Sequence, residues 1–261
     1  MSCPRLVLVI AALLVVAPSR LDAQLTGTLR VPTIVKIDGK TVPLVRKRFY
    51  LFQGTLADNQ ALVDRLKSAQ IKSRDCFYAG LGASAPFVCW LQTHNCESPF
   101  CGGITMDDVP KVPEFDAAYK KGLIAYKNQP NIALDWLTTN MPPTMTSGFY
   151  NDRKKLVDSL LAGSTPVQST QTDPKGGAAL FIDVPITLAA GAKTQTFVVS
   201  NVLPIEINGK AYTWACEAAI DPASKVPQQY SPLTDKGSTG KKCEVVIKDL
   251  EVCKGQGCAV K

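Results

Sequence analysis

Apolar and polar positions change rhythm twice along the chain after residue 24. In residues 24–54, β-branched and aromatic side chains gather in short runs at 26–31 (TGTLRV), 33–37 and 44–52 (LVRKRFYLF), the period-2 signature of strands. Asp38-Gly39 separates the second run from the third, and a glycine there accepts the positive φ of a tight hairpin turn. From 55 to 163 the spacing lengthens to that of helices. Asp58 stands at an N-cap position ahead of Leu62, Leu66 and Ala69, and Pro113 at a first-turn position ahead of Phe115, Tyr119, Leu123 and Tyr126. Asn131 can cap a short helix over 132–137 that Pro142-Pro143 stops, and a last helix runs over 149–161 with Leu156, Val157, Leu160 and Leu161 inward and Gly163 at its end. Strand signals then return at 165–172, 177–184, 194–200, 203–207, 210–219 and 242–252, and Asn208-Gly209 is the clearest hairpin turn in the chain.

This order predicts an α+β protein, an antiparallel β-sandwich interrupted by a helical, disulfide-stapled insertion. Residues 24–54 and 164–261 form the sandwich, because each β-section alone is too thin to be stable. Residues 55–163 form the insertion. Inside it, residues 76–101 (CFYAGLGASAPFVCWLQTHNCESPFC) carry four cysteines, two prolines and five aromatic rings, and read as a loop-rich, cross-linked lobe.

The N-terminus sets the compartment. Arg5 precedes an unbroken apolar run at 6–17, followed by Pro18 and a polar stretch ending at Ala23, the organisation of a secretory signal peptide over 1–23. As a helix the run is about 18 Å long at ~1.5 Å per residue, too short for a bilayer core of about 30 Å. The mature chain, from Gln24, is expected to be secreted or periplasmic without a membrane span. The whole chain carries a formal charge of +7; losing two arginines and one aspartate with the signal leaves a mild, scattered +6. The dense basic spots, Arg46-Lys47-Arg48 and Lys241-Lys242, lack the interleaved aromatics of a nucleic-acid platform, so nucleic acid is not an expected partner.

Of nine cysteines, Cys3 leaves with the signal, and an even set in an oxidising compartment reads as disulfides. They fall into two groups, Cys76, Cys89, Cys96 and Cys101, then Cys216, Cys243, Cys253 and Cys258. Neither group has the paired C-x2-C knuckles of a zinc site, so no metal and no cofactor is expected. Pairing is expected to stay within each group, since helices separate the groups along the chain; of the sets this allows, the preferred one is Cys76–Cys89, Cys96–Cys101, Cys216–Cys243 and Cys253–Cys258, the glycines between Cys253 and Cys258 letting that segment close on itself.

The opening LTGTLRV and IDGKTVPLVRKRFYLF, with the later TQTDPKGGAALFIDVP and TFVVSNVLPIEINGKAYTWA, resemble the two halves of a carboxypeptidase-regulatory-like, transthyretin-like β-sandwich. Thr172-Asp173-Pro174-Lys175-Gly176 and Asp183-Val184-Pro185 match that family's TD-x-x-G turn and D-V-P strand end. The likeness spans about ninety residues, with residues 55–163 intervening where the family continues directly. It implies a structural or ligand-binding accessory fold without catalysis. AAYKKGLIAYKNQPNIALDWL is similar to one helix pair of a tetratricopeptide repeat; a single copy cannot build such an array, so it reads as an ordinary helical hairpin.

Candidate chemistry is sparse. His94 is the single histidine, so any triad would have to use it. Glu206 and Glu217 could face one another near the Asn208-Gly209 hairpin as the two carboxylates a glycosidase needs. Asp107-Asp108 is not followed by a calcium loop. The rings of the cysteine lobe, above all Phe87, Trp90 and Phe100, are the candidate binding residues, set against the alternative that they cover the disulfides as core. The expectation is an exported, non-enzymatic binding or structural module for a protein or glycan. The alternatives are a carboxylate-dependent hydrolase acting on glycans, or an inhibitor of a secreted hydrolase that offers the loop Glu97-Ser98-Pro99-Phe100 between Cys96 and Cys101.

Overall fold

A computed structural model describes residues 25–94, 96–250, 253 and 258; the expected signal peptide and Gln24 lie outside them. The chain opens with β1 (Leu25–Pro32), β2 (Ile34–Ile37), β3 (Lys40–Pro43) and β4 (Arg48–Gln53). Asp38 (φ 49°) and Gly39 (φ 76°) form the expected turn, but they join β2 to a strand beginning at Lys40. β3 thus lies ahead of the third predicted run, of which only residues 48–52 are strand, in β4.

Eight helices follow, α1 (Gln60–Ser68), α2 (Arg74–Gly80), α3 (Ala85–Thr93), α4 (Pro113–Ala125), α5 (Pro130–Asp135), α6 (Leu137–Asn140), α7 (Pro143–Thr146) and α8 (Gly148–Leu160), with a 3-10 turn at Val109–Lys111. The chain then returns as β5 (Gln168–Gln171), β6 (Ala178–Ile186), β7 (Gln195–Ser200), β8 (Ile205–Ile207), β9 (Lys210–Ile220), β10 (Gln228–Gln229), β11 (Leu233–Thr234), β12 (Gly237–Ser238) and β13 (Cys243–Asp249). The fold is α+β, with several antiparallel sheets.

The largest sheet runs β13-β9-β7-β4-β5, with β8 paired to β9. Strand alternation sorts its side chains to two faces. Phe49 and Leu51 of β4, Phe197 and Val199 of β7, and Trp214 and Cys216 of β9 join one core with Leu29 and Val31 of β1, Val35 of β2 and Phe181 of β6. Tyr50, Phe52, Val198 and Ala215 point the other way, onto Leu62, Val63 and Leu66 of α1 and Leu160 of α8. The sheet is thus the middle layer between two smaller sheets and a helical layer. β4 and β5 are antiparallel neighbours with Leu51 opposite Gln168, so the helical stretch leaves and re-enters the sheet at adjoining positions.

Two local devices hold the sandwich in register. Between Gly27 and Leu29 the β1–β6 pairing slips by one residue, and Asp183 of β6, at φ 53°, takes up the extra residue as a bulge, which lets both Phe181 and Val184 face inward. After β7, Val202 sits at φ 48°, a strained conformation for a β-branched residue. Buried Asn201 fixes that turn: its Nδ2 donates to Leu203 O (2.9 Å) and Tyr212 O (3.0 Å), and its Oδ1 accepts from Trp214 N (2.8 Å).

The helices have a third core of their own, built on Tyr78, Phe87, Trp90, Leu91, Phe115, Leu137 and Phe149. The cysteine stretch is more helical than expected, because two serines start helices there: Ser73 accepts from Cys76 N at α2, and Ser84 accepts from Phe87 N at α3, with proline in the first turn. Asp58 does not cap α1; its carboxylate takes Thr55 N and Oγ1 (both 2.8 Å) in the turn before the helix. On α4 the buried stripe is Phe115, Ala118 and Gly122 in place of the aromatic face expected. A Cβ on Gly122 would meet Ala133 at 3.2 Å, so glycine lets α4 and α5 approach closely.

Two expected disulfides are present, Cys96–Cys101 and Cys216–Cys243, the latter across directly paired residues of β9 and β13. The other two are corrected. Cys253 and Cys258 do not bond each other; they bond Cys76 of α2 and Cys89 of α3. The helices between the two cysteine groups separate them in sequence, but α8 among them packs with α1 on the sheet, and β13, whose end leads to the tail, packs beside α1. The C-terminal cysteines are therefore delivered to the lobe.

Candidate functional site

The three aromatic candidates go to different places. Phe87 is fully buried, edge-on to Tyr78 (5.3 Å between centroids) and Phe115 (5.8 Å). Trp90, 5% exposed, is edge-on to Phe115 and stacked on His94 at 4.3 Å. Phe100 alone faces outward, 62% exposed.

Its presentation follows from the local sequence. The Cys96–Cys101 bond closes a short ring, and Cys101 N donates to Ser98 O at 3.2 Å, making a tight turn with Pro99 at the position where its fixed φ is favourable. Phe100 occupies the next corner, where most of its ring is left open to solvent. Directly after the ring, Gly102 lies so close to the Trp90 ring that a Cβ would stand 3.2 Å from it. The glycine there lets the turn sit close down on the lobe core.

The opposite wall comes from α5 and α6. Pro99, Phe100 and Ile104 face Leu134 and Leu137 across a groove of about 270 Å3. Asp135, Thr138 and the backbone of Gly102-Gly103 complete its lining. These helix residues were missed by sequence reasoning, which took 132–137 as one packed helix. The available signal was the pair of consecutive glycines after the ring, an invitation for another group to approach the backbone.

The lobe behind the groove is firmly tied. Ser84 donates from N and Oγ to the Glu114 carboxylate (both 2.6 Å), joining the starts of α3 and α4. Thr105 donates from N (2.8 Å) and Oγ1 (2.7 Å) to Asp108 Oδ2. Partial burial works to raise the Asp108 carboxyl, but these bonds, with the Trp90 indole beside it, outweigh that and hold it below the usual carboxylate range. The Trp90 Nε1 itself makes no hydrogen bond of full geometry. Burial pushes the Tyr78 phenol well up, and its hydroxyl donates to Glu97 O at 3.0 Å. Lys47, from the predicted basic spot, pairs with Glu97 at 2.7 Å and bridges sandwich and lobe.

The other candidates do not assemble. His94 Nδ1 is 2.9 Å from Trp90 O, and its ring stacks on the Trp90 indole. Glu206 lies opposite Ala211 on β9, and Glu217 is six residues further along that strand, about 20 Å at ~3.3 Å per residue, while glycosidase carboxylates stand roughly 5–9.5 Å apart. Glu217 instead accepts from Leu56 N at 2.9 Å. Among the described residues no group of three or more His, Cys, Asp or Glu side chains could hold a metal, and no helix is long and apolar enough to cross a membrane. No protein-family model matches the chain, and neither a curated protein nor a solved structure shows significant similarity to it.

Proposed function

We propose that the protein is an exported, non-enzymatic binding module that takes its ligand on the helical lobe, in the groove beside Phe100. The observation that carries this is the Phe100 ring itself. A large aromatic left 62% exposed, on a turn closed by a disulfide and braced by a glycine, is held ready for contact, and rigid aromatics of this kind dominate binding energy where they occur. The sandwich is the scaffold, in keeping with the likeness to carboxypeptidase-regulatory-like and transthyretin-like accessory folds. Four disulfides fit an oxidising compartment, and the apolar leader supplies the route to it.

The spacing of Glu206 and Glu217 speaks against a carboxylate-dependent hydrolase. The tight turn at Ser98–Cys101 speaks against an inhibitory loop, which would have to be presented extended, as strand-adding peptides are. The test is a selection of ligands for the mature protein from a displayed peptide library and a glycan array, repeated with Phe100→Ala. Removing an exposed ring changes stability by no more than about 0.5 kcal/mol, whereas loss of a hot-spot ring costs 2 kcal/mol or more, roughly thirtyfold in affinity. Ligands that all bind the variant as well as the wild type would refute the site. Turnover of a glycan, abolished by Glu217→Gln, would favour the hydrolase.

A further inference from the structure

Resting on the reading of the Phe100 groove as a binding site, we infer that its ligand is a neutral saccharide, held through one pyranose ring. Three properties of the groove point there. The first is size: about 270 Å3 lies just below the ~300 Å3 at which pockets begin to enclose drug-sized ligands, so the groove takes one ring-sized unit of a longer chain.

The second is the distribution of apolar and polar groups. Phe100, Leu134 and Leu137 bring apolar side chains to the lining, while Asp135, Thr138 and the Gly102-Gly103 backbone bring hydrogen-bonding groups to it. A pyranose has the matching form, with C–H groups on its face and hydroxyls around its rim. The carboxylate accepts from two adjacent hydroxyls, the threonine hydroxyl both donates and accepts, and stacking on the ring covers the sugar face.

The third is charge. Among the described residues, Asp135 is the one charged side chain lining the groove, with no Lys or Arg beside it in the lining. An anionic ligand such as a phosphate, a sulfated sugar or a uronic acid would meet a carboxylate without a counter-charge, so a neutral sugar is selected. A bound peptide strand would need a free strand edge beside Phe100, and the walls here are a turn and two short helices. A helical peptide would need a groove long enough for anchors over two turns.

The test is titration of the folded, oxidised mature protein with neutral tetrasaccharides (cellotetraose, maltotetraose and the N-acetylglucosamine tetramer) and with an anionic galacturonic acid tetramer, followed by amide chemical shifts. At least one neutral tetrasaccharide should bind, at least tenfold more weakly to Phe100→Ala and Asp135→Ala, with melting temperatures unchanged. Tyr150→Ala, which removes an exposed ring on α8 outside the groove, should bind as the wild type does. Tighter binding of the anionic tetramer overturns the inference, as does equal loss in Tyr150→Ala. If no saccharide binds while selected peptides bind in a Phe100-dependent way, the saccharide assignment fails and the binding module stands. If neither class of ligand depends on Phe100, both fail.

Discussion

The bonds from Cys253 and Cys258 to the lobe make the sharpest stability prediction. Cys76 and Cys253 are 177 residues apart, and in the chain-entropy picture closing so long a loop restricts the unfolded chain by about 5 kcal/mol. Once that bond exists, Cys89–Cys258 closes only the ring formed by residues 76–89 and 253–258, about 20 residues, worth about 3 kcal/mol. The two bonds are therefore non-additive: cutting either alone should cost about 3 kcal/mol, because the other still spans the chain, and cutting both about 8 kcal/mol. Local pairing, Cys76–Cys89 with Cys253–Cys258, would contribute only about 5 kcal/mol in all. Urea unfolding of Cys258→Ser with Cys89→Ser, of Cys253→Ser with Cys76→Ser, and of all four changes together gives the three values. Connectivity can be read independently. Trypsin leaves all four lobe cysteines on residues 75–111 and parts Cys253 from Cys258 at Lys254. Without reduction, residues 75–111 should carry both 249–254 and 255–261. Finding 249–254 joined to 255–261, with 75–111 free, would refute the long-range staples.

Other expectations can be checked alongside. Trp90→Ala should destabilise by about 3–5 kcal/mol, because the ring is core, and lower Tm by about 6–20 °C at this chain length; a normal melt would contradict its placement. Asn201→Ala leaves Trp214 N and two carbonyls without their partner and should cost at least about 2 kcal/mol, measured by urea midpoint, with unchanged stability refuting the network. The Asp173 carboxyl is held low chiefly by the backbone N–H of Gly177, with Lys175 and Ala178 adding theirs. Its contribution is complete above the unfolded value of about 3.9 and is lost as pH falls through the lower folded value. Asp173→Asn should therefore lose less stability than the wild type on acidification from pH ~6 to ~2, and parallel pH curves would show that the turn does not use the charge.

Much of the framework is decided within the chain. The strands from β5 to β9 and β13, and the Asn208-Gly209 turn, follow from alternation and from the positive φ that glycine and asparagine tolerate, here 75° and 50°. The start of α4 follows from Pro113, and the two short-range disulfides from cysteines placed in one turn or on strands that one sheet aligns. The helices α2 and α3 were also within reach, since Ser73 and Ser84 are ordinary N-caps; the density of cysteines and prolines obscured them.

What the tertiary structure alone decides is which surfaces meet. Periodicity shows that a ring is apolar, not whether another element will cover it, and so Phe87, Trp90 and Phe100 look equivalent until α4 arrives over the first two and leaves the third bare. The groove exists because α5 and α6 come to rest opposite the Cys96–Cys101 ring, a contact fixed by Gly122 against Ala133 some twenty residues away. The tail disulfides are decided in the same way. Sequence proximity makes local pairing entropically cheap, but the packing of α1 and α8 on the outer face of the sheet carries the lobe to the end of β13, and distance in space then overrides distance along the chain.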